Sequence, residues 1–259
     1  MTVTADTWQA RAALCELLAL SFRYPDDVLV GALASGEWGE AAEEIAGVLG
    51  LDWPADGAPG AAEAAQMDDP DELKHALRAE ATRLFVGAPE PTCSPYEGVW
   101  RAADDGVQAL LFVNPHSMAV ERFCKACGLG RPEGTNEPLD AVWTELELLE
   151  YLALRAAADA MDAEAEADHI IAQLRNGDHK PVYPVYFDLE EGSMASTSNR
   201  ELLGQMAKAF CEKVEAAGYR AGTYANLYWY NTFLTDPAFD RWTRWVAQYN
   251  YRCDYRKPY

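Results

Sequence analysis

The sequence predicts a mixed fold, an all-α helical bundle at the N-terminus followed by a partial β/α arrangement. Three observations predict it. Helical periodicity with capping signals runs to about residue 160 without a strand pattern. Residues 1–160 carry 10 Lys/Arg against 28 Asp/Glu, residues 161–259 carry 11 against 14, and 17 of the 29 aromatics lie in the last 99 residues. The stretch PVYPVYFDLE, residues 181–190, then opens an alternation of strand and helix patterns. Together these observations place a domain boundary near residue 160, dividing the chain into 1–160 and 161–259.

The elements follow in order. Residues 8–22 are a strongly apolar helix stopped by YPDD, and Pro25 opens a short second helix. WGEAAEEIAGVLG is a third, ended by Gly50. Residues 52–66, rich in Ala, Gly and Pro, read as a surface loop. Asp69 is the N-cap and Pro70 the first residue of a helix that carries Leu73, Leu77, Leu84 and Phe85 at helical spacing. APEPTCSPYEGVWRAADDG shows no helical period. Asn114 and Pro115 start the next helix and Gly128 ends it. A long helix from about Leu139 to Met161 buries Val142, Leu146, Leu149 and Leu152/Ala153, and EAEADHIIAQLRN is a separate helix. The final part reads as strand, helix to Gly218, strand in YRAGTYANL, a short helix in YWYNTFL, and a strand within RWTRWVAQY. Such alternation implies parallel strands covered by helices.

Net charge, −21 overall, is concentrated in the first part. It disfavours nucleic acid and anionic membranes and favours basic peptides, although a solvated acidic surface would give the same balance. The N-terminus lacks a basic cluster and a small-residue cleavage site, and no segment has the length and apolarity of a membrane span, so the expected location is cytoplasmic. Cys124 and Cys127 have C-x-x-C spacing but no second ligand pair, so no metal is assigned. No cofactor is implied.

EATRLFVGAPEPTCSPYEGVW and NEPLDAVWTELELLEYL, with the opening LALSFRYPDD, resemble the TorD/DmsD/NarJ family of molybdoenzyme maturation chaperones. The resemblance covers about residues 8–160 and lacks the family's last helices. It implies a cytoplasmic helical protein that binds the twin-arginine signal peptide of an apo-molybdoenzyme. Matched by motif, Leu84, Phe85, Pro95, Tyr96 and Trp100 line the apolar part of the groove, and Pro138 and Asp140 form its polar edge. The family's histidine after the aspartate is Ala141 here. A receptor for paired arginines and an apolar run needs carboxylates beside exposed aromatic side chains, so the chemistry agrees.

The C-terminal part is different. Asp188 and Glu190, two apart on a strand, share a face. The run from about residue 163 to 259 resembles glycoside hydrolase family 25 lysozymes, which have a modified β/α (TIM-barrel-like) fold and cleave peptidoglycan. That resemblance implies Glu190 as general acid with a raised pKa, Asp188 as its supporting carboxylate, and Tyr224, Trp245 and Tyr249 as sugar-facing aromatics. The family's first strands, one with an essential aspartate, have no counterpart, nor does its closing W-Q-Y strand. The expectation is a fusion of two truncated domains in which the chaperone reading leads and muramidase activity is low or absent.

Overall fold

The computed structural model describes residues 5–259 except 56, 68, 88–90, 107–113, 131–136, 178–179, 191–198 and 249–251. It divides into two compact units, Gln9–Leu154 and Met1–Trp8 with Arg155–Tyr259.

The first unit is helical. It contains most of α1 (Ala5–Phe22), then α2 (Asp27–Ser35), α3 (Glu37–Leu49), α4 (Ala61–Ala65) and α5 (Pro70–Ala81). A π-helical turn over Thr82–Val86 precedes α6 (Glu97–Asp105), α7 (Pro115–Ala126) and the start of α8 (Val142–Asn176). Helix starts are fixed by side chains that accept otherwise unpaired backbone N–H groups. Asp69 accepts from Asp71 at 2.9 Å, with Pro70 at the first position as expected. Asn114 accepts from the Ser117 N–H at 2.7 Å. α2 is capped by Asp26 through the N–H groups of Val28 and Leu29, so it begins just after the expected Pro25. Gly50 and Gly128 end α3 and α7 at positive φ, +66° and +78°, conformations that disfavour a side chain.

Four expectations need correction. The surface loop at 52–66 contains α4, because its alanine run has the highest helix propensity and Ala64 is buried with Val30 and Leu73. The stretch without helical period contains α6. Its first turn is capped from a distance: the Gly98 N–H donates to the Asp140 carboxylate at 2.9 Å, a contact 42 residues away that no local pattern shows. The two helices at 139–161 and 164–176 are one 35-residue helix, because DAEAEAD contains neither Gly nor Pro to break it. Finally, Leu149 is 52% exposed, and Ala153, Ala156, Ala157 and Ala160 form the buried line of α8. With leucine at 146, 148, 149 and 152, apolarity alone could not set the phase of the helix.

In the second unit β1 (Val185–Asp188), β2 (Ala221–Asn226) and β3 (Thr243–Ala247) form a parallel sheet in the order β1-β2-β3. α9 (Arg200–Ala216), capped by Asn199, lies between β1 and β2 in sequence. α10 (Leu227–Thr232) and a 3-10 turn at Pro237–Arg241 lie between β2 and β3. Strand alternation sends Phe187 and Leu189 inward, where Phe187 stacks on Phe210 of α9 with centroids 4.5 Å apart. Ala163, Ala167 and Ile171 of α8 complete that core with Leu203, Val214 and Phe239. Thus the described residues form a helical N-terminal region and a three-stranded parallel sheet.

Candidate functional site

The site begins with the connection between the π-helical turn and α6. π-helical turns recur at functional sites, and this one carries Leu84 and Phe85. An isolated antiparallel bridge between Tyr96 and Ala141 ties this connection to the residues just before α8. Two backbone bonds hold it, Glu97 N–H to the Asp140 carbonyl and Val142 N–H to the Pro95 carbonyl, both 2.9 Å. Gly98 is needed at this crossing, since a Cβ there would lie 2.6 Å from the Asn114 side chain.

This crossing frames a cavity of about 310 Å³. Phe22, Phe85, Pro95, Trp100 and Val142 give it apolar walls, and Glu97, Asp140 and Glu145 give it three carboxylates. Asp140 is fully buried. Its Oδ2 accepts from Gly98 N–H and from Asn114 Nδ2 at 3.1 Å, whereas its Oδ1 is buried with no hydrogen-bond partner among the described residues. Glu145 Oε1 is likewise buried and unpartnered. Glu97 is engaged, accepting from Arg101 Nε at 3.0 Å with His116 Nδ1 at 3.6 Å. Burial pushes the Glu145 carboxyl above the usual range, the negative charges of Glu97 and Asp140 add to this, and His116 opposes it. Trp100 remains 60% exposed, with its indole N–H on the Ser94 carbonyl at 2.7 Å. An apolar pocket holding two unmet acceptors and surplus negative charge suits a cation on an aliphatic stem.

Of the residues expected in the groove, Phe85, Pro95, Trp100 and Asp140 come together around this cavity. Leu84, Tyr96 and Pro138 do not line it. The carbonyl of Leu84, in the π-helical turn, accepts from the Cys93 N–H at 2.8 Å. Tyr96 turns to Glu137 Oε1 and packs edge-on against Trp143, and its hydroxyl is pushed up to about 12, by burial first and then by Glu137. Pro138 is buried beside a second cavity of about 510 Å³, which Trp143, Leu148 and Tyr151 also line. Sequence reasoning missed Phe22, Glu97 and Glu145. For Glu145 a signal existed: it lies three residues after Val142, on the same side of a helix otherwise read as an apolar stripe.

In the second unit Asp188 ends β1 exposed, and half-buried Glu190 accepts from Asn226 Nδ2 at 3.3 Å. Glu166 of α8 is pushed up by burial and by the charge of Asp188. Trp245 packs edge-on against both Tyr186 and Tyr224, with centroids 5.3 and 5.4 Å apart. Tyr249 lies outside the described residues. Cys124 and Cys127 are not in a disulfide, and burial pushes the Cys124 thiol up. Among the described residues no group of three or more His, Cys, Asp and Glu is placed to hold a metal, and no helix is long and apolar enough to cross a membrane.

Comparison with known proteins matches the two parts to different families. Residues 150–259 match glycosyl hydrolases family 25. Residues 35–180 match the nitrate reductase delta subunit model. No curated protein matches. A solved structure of a redox enzyme maturation protein from Archaeoglobus fulgidus is 22% identical, covers 54% of this chain and 70% of that chain, and has a TM-score of 0.36. The chain is similar to two families in its two parts and, matched over more than half of its length by the first model, belongs to the nitrate reductase delta subunit family.

Proposed function

We propose that this protein is a cytoplasmic maturation chaperone whose helical domain, residues 1–160, binds the twin-arginine signal peptide of an apo-molybdoenzyme. The observation that carries this reading is the cavity under Trp100, where apolar walls surround two buried carboxylate oxygens without partners. A buried acceptor left unmet costs about 1–3 kcal/mol, and a cationic ligand returns that energy on binding. Phe22, Phe85 and Trp100 offer apolar surface to the hydrophobic run that follows the arginines. Membership of the delta subunit family and the surplus negative charge of residues 1–160 support the same partner.

Calorimetry with a synthetic peptide carrying paired arginines and an apolar run tests the reading. Trp100→Ala should weaken binding by about 1–3 kcal/mol, because an exposed ring at a cavity mouth is a typical binding anchor. Equal affinity of wild type and Trp100→Ala, or no binding by either, would remove this cavity as the peptide site. Asp140→Ala is a poorer test, since Asp140 also caps α6.

A second reading is favoured by the family 25 match and by Glu190 held at Asn226. In it the sheet is a fragment of a TIM-barrel-like fold, Glu190 is the general acid and Asp188 its support, and peptidoglycan is the substrate. Tyr224 and Trp245 would face the sugar. We rank it below the chaperone reading.

A further inference from the structure

We propose that Cys124 and Cys127 form a reversible disulfide, and that its formation reshapes the second cavity of the helical unit. The co-reactant is a small disulfide compound, which takes up the two electrons. This goes beyond the signal-peptide reading, which uses neither thiol.

The two cysteines close α7. Cys127, the C-cap residue with φ −83° and ψ 0°, donates its N–H to the Cys124 carbonyl at 3.0 Å, which makes one tight turn. The ends of such a turn lie less than about 7 Å apart at Cα, within the reach of a disulfide. Side chains three apart on a helix hold their Cβ atoms about 5–6 Å apart, whereas a disulfide needs about 3.5–4.5 Å. Oxidation therefore draws the last turn of α7 tighter. Gly128 follows directly, at φ +78°, and has no side chain to resist the change.

That movement has a path to the cavity. Cys124 lines the cavity of about 510 Å³ together with Trp143, Leu148 and Tyr151 of α8. The Tyr151 hydroxyl donates to the Cys127 carbonyl at 3.2 Å. The lining thus contains a thiol that the disulfide draws away and a tyrosine tied to the carbonyl that the disulfide moves.

Both cysteines are reduced and half-buried in this structure. Burial first, then the Cys127 side chain, pushes the Cys124 thiol up, so Cys124 acts second. The Cys127 thiolate attacks one sulfur of the small disulfide and expels a thiolate, leaving a mixed disulfide. Cys124 then gives its proton to solvent, and its sulfur attacks Cys127 Sγ and expels the second thiolate. Two protein thiols are oxidised, and the small disulfide is reduced to two thiols. In a reducing compartment such a bond is transient, the behaviour of a redox sensor.

The test equilibrates the full chain with excess oxidised glutathione, alkylates the remaining thiols, and digests the denatured protein with trypsin without reductant. Lys125 lies between the two cysteines, so the disulfide joins two tryptic peptides that mass spectrometry detects as one species. Wild type should give that species, and dithiothreitol should abolish it. Cys124→Ser should stop at a glutathione adduct on Cys127. A lasting adduct in wild type, or alkylation of both thiols, would overturn the disulfide. NMR at the Trp143 indole reads the cavity. Its signal should shift when wild type is oxidised and stay in place in the double variant Cys124→Ser, Cys127→Ser treated alike. A disulfide that leaves the wild-type signal in place would overturn the coupling to the cavity.

Discussion

Both units place carboxylates beside aromatic rings, yet they treat those carboxylates in opposite ways. In the helical unit Asp140 is fully buried and Glu145 has a buried, unpartnered oxygen, against Phe85 and Trp100. In the sheet unit Asp188 stands exposed at the end of β1, Glu190 is held by Asn226, and Trp245 is 57% exposed. Charges in water are hydrated and screened, so they have little left to give a ligand. Charges out of water have lost hydration, and a partner of opposite sign restores it. The same residue types therefore line a buried cavity in one unit and an open face in the other.

The largest expected effect separates the two units. Phe187 is 1% exposed and stacked on Phe210, so Phe187→Ala should destabilise the sheet unit by about 3–5 kcal/mol. If the cavity depends only on its own residues, peptide affinity should change by less than about twofold under conditions where the variant stays folded, and urea unfolding should become biphasic. A parallel loss of peptide binding and sheet structure would instead show one cooperative body.

A smaller effect sharpens the electrostatic half of the comparison. The Glu145 carboxyl is held above its usual range by burial, then by Glu97 and Asp140, with His116 opposing. For a carboxyl whose folded pKa is raised, ionisation opposes folding. That penalty is complete above the folded pKa and vanishes as pH falls toward the unfolded value of about 4.3. Binding has the opposite sign, because a cation needs the ionised form. As pH falls through the raised pKa, peptide affinity should drop by up to about tenfold per unit, the slope of one proton taken up by the free site. Calorimetry between about pH 5 and pH 8 should show this slope in wild type and a flatter one in Glu145→Gln. Equal slopes would mean that Glu145 does not face the ligand.

The split between helices and strands was legible because binary pattern and capping are local. Asp69-Pro70 and Asn114-Pro115 carry their helix-start signals locally, and the alternation in VYFDL reads as a strand with Phe187 and Leu189 inward. What failed was set by distant contacts. α6 is capped by Asp140, and no reading of SPYEGVW alone can supply that partner. The site was half legible for the same reason. Motif spacing pointed to Phe85, Pro95, Trp100 and Asp140, but Phe22 arrives from a helix more than sixty residues earlier. Glu145 lies three residues after Val142 on a helix read only for its apolar stripe, and a carboxylate on that side marks the cavity.

The smallest expected effect is on peptidoglycan. Glycoside hydrolysis needs an acid and a second carboxylate flanking one bond, within walls that distort the sugar and exclude water. Here Asp188 is exposed, and β1 and β3 are the edges of the described sheet. Tyr224 and Trp245 pack edge-on to one another, with one face of that cluster open to solvent. Removing one of several cooperating groups from a hydrolase commonly removes most of its rate, so a face without enclosing walls among the described residues should turn over little or nothing. Turbidity clearing of a bacterial wall suspension should therefore be the same for wild type and Glu190→Gln. Clearing by wild type that Glu190→Gln abolishes would make the sheet unit an enzyme, and the contrast between a carboxylate-lined cavity and an open face would no longer separate a working site from an inactive one.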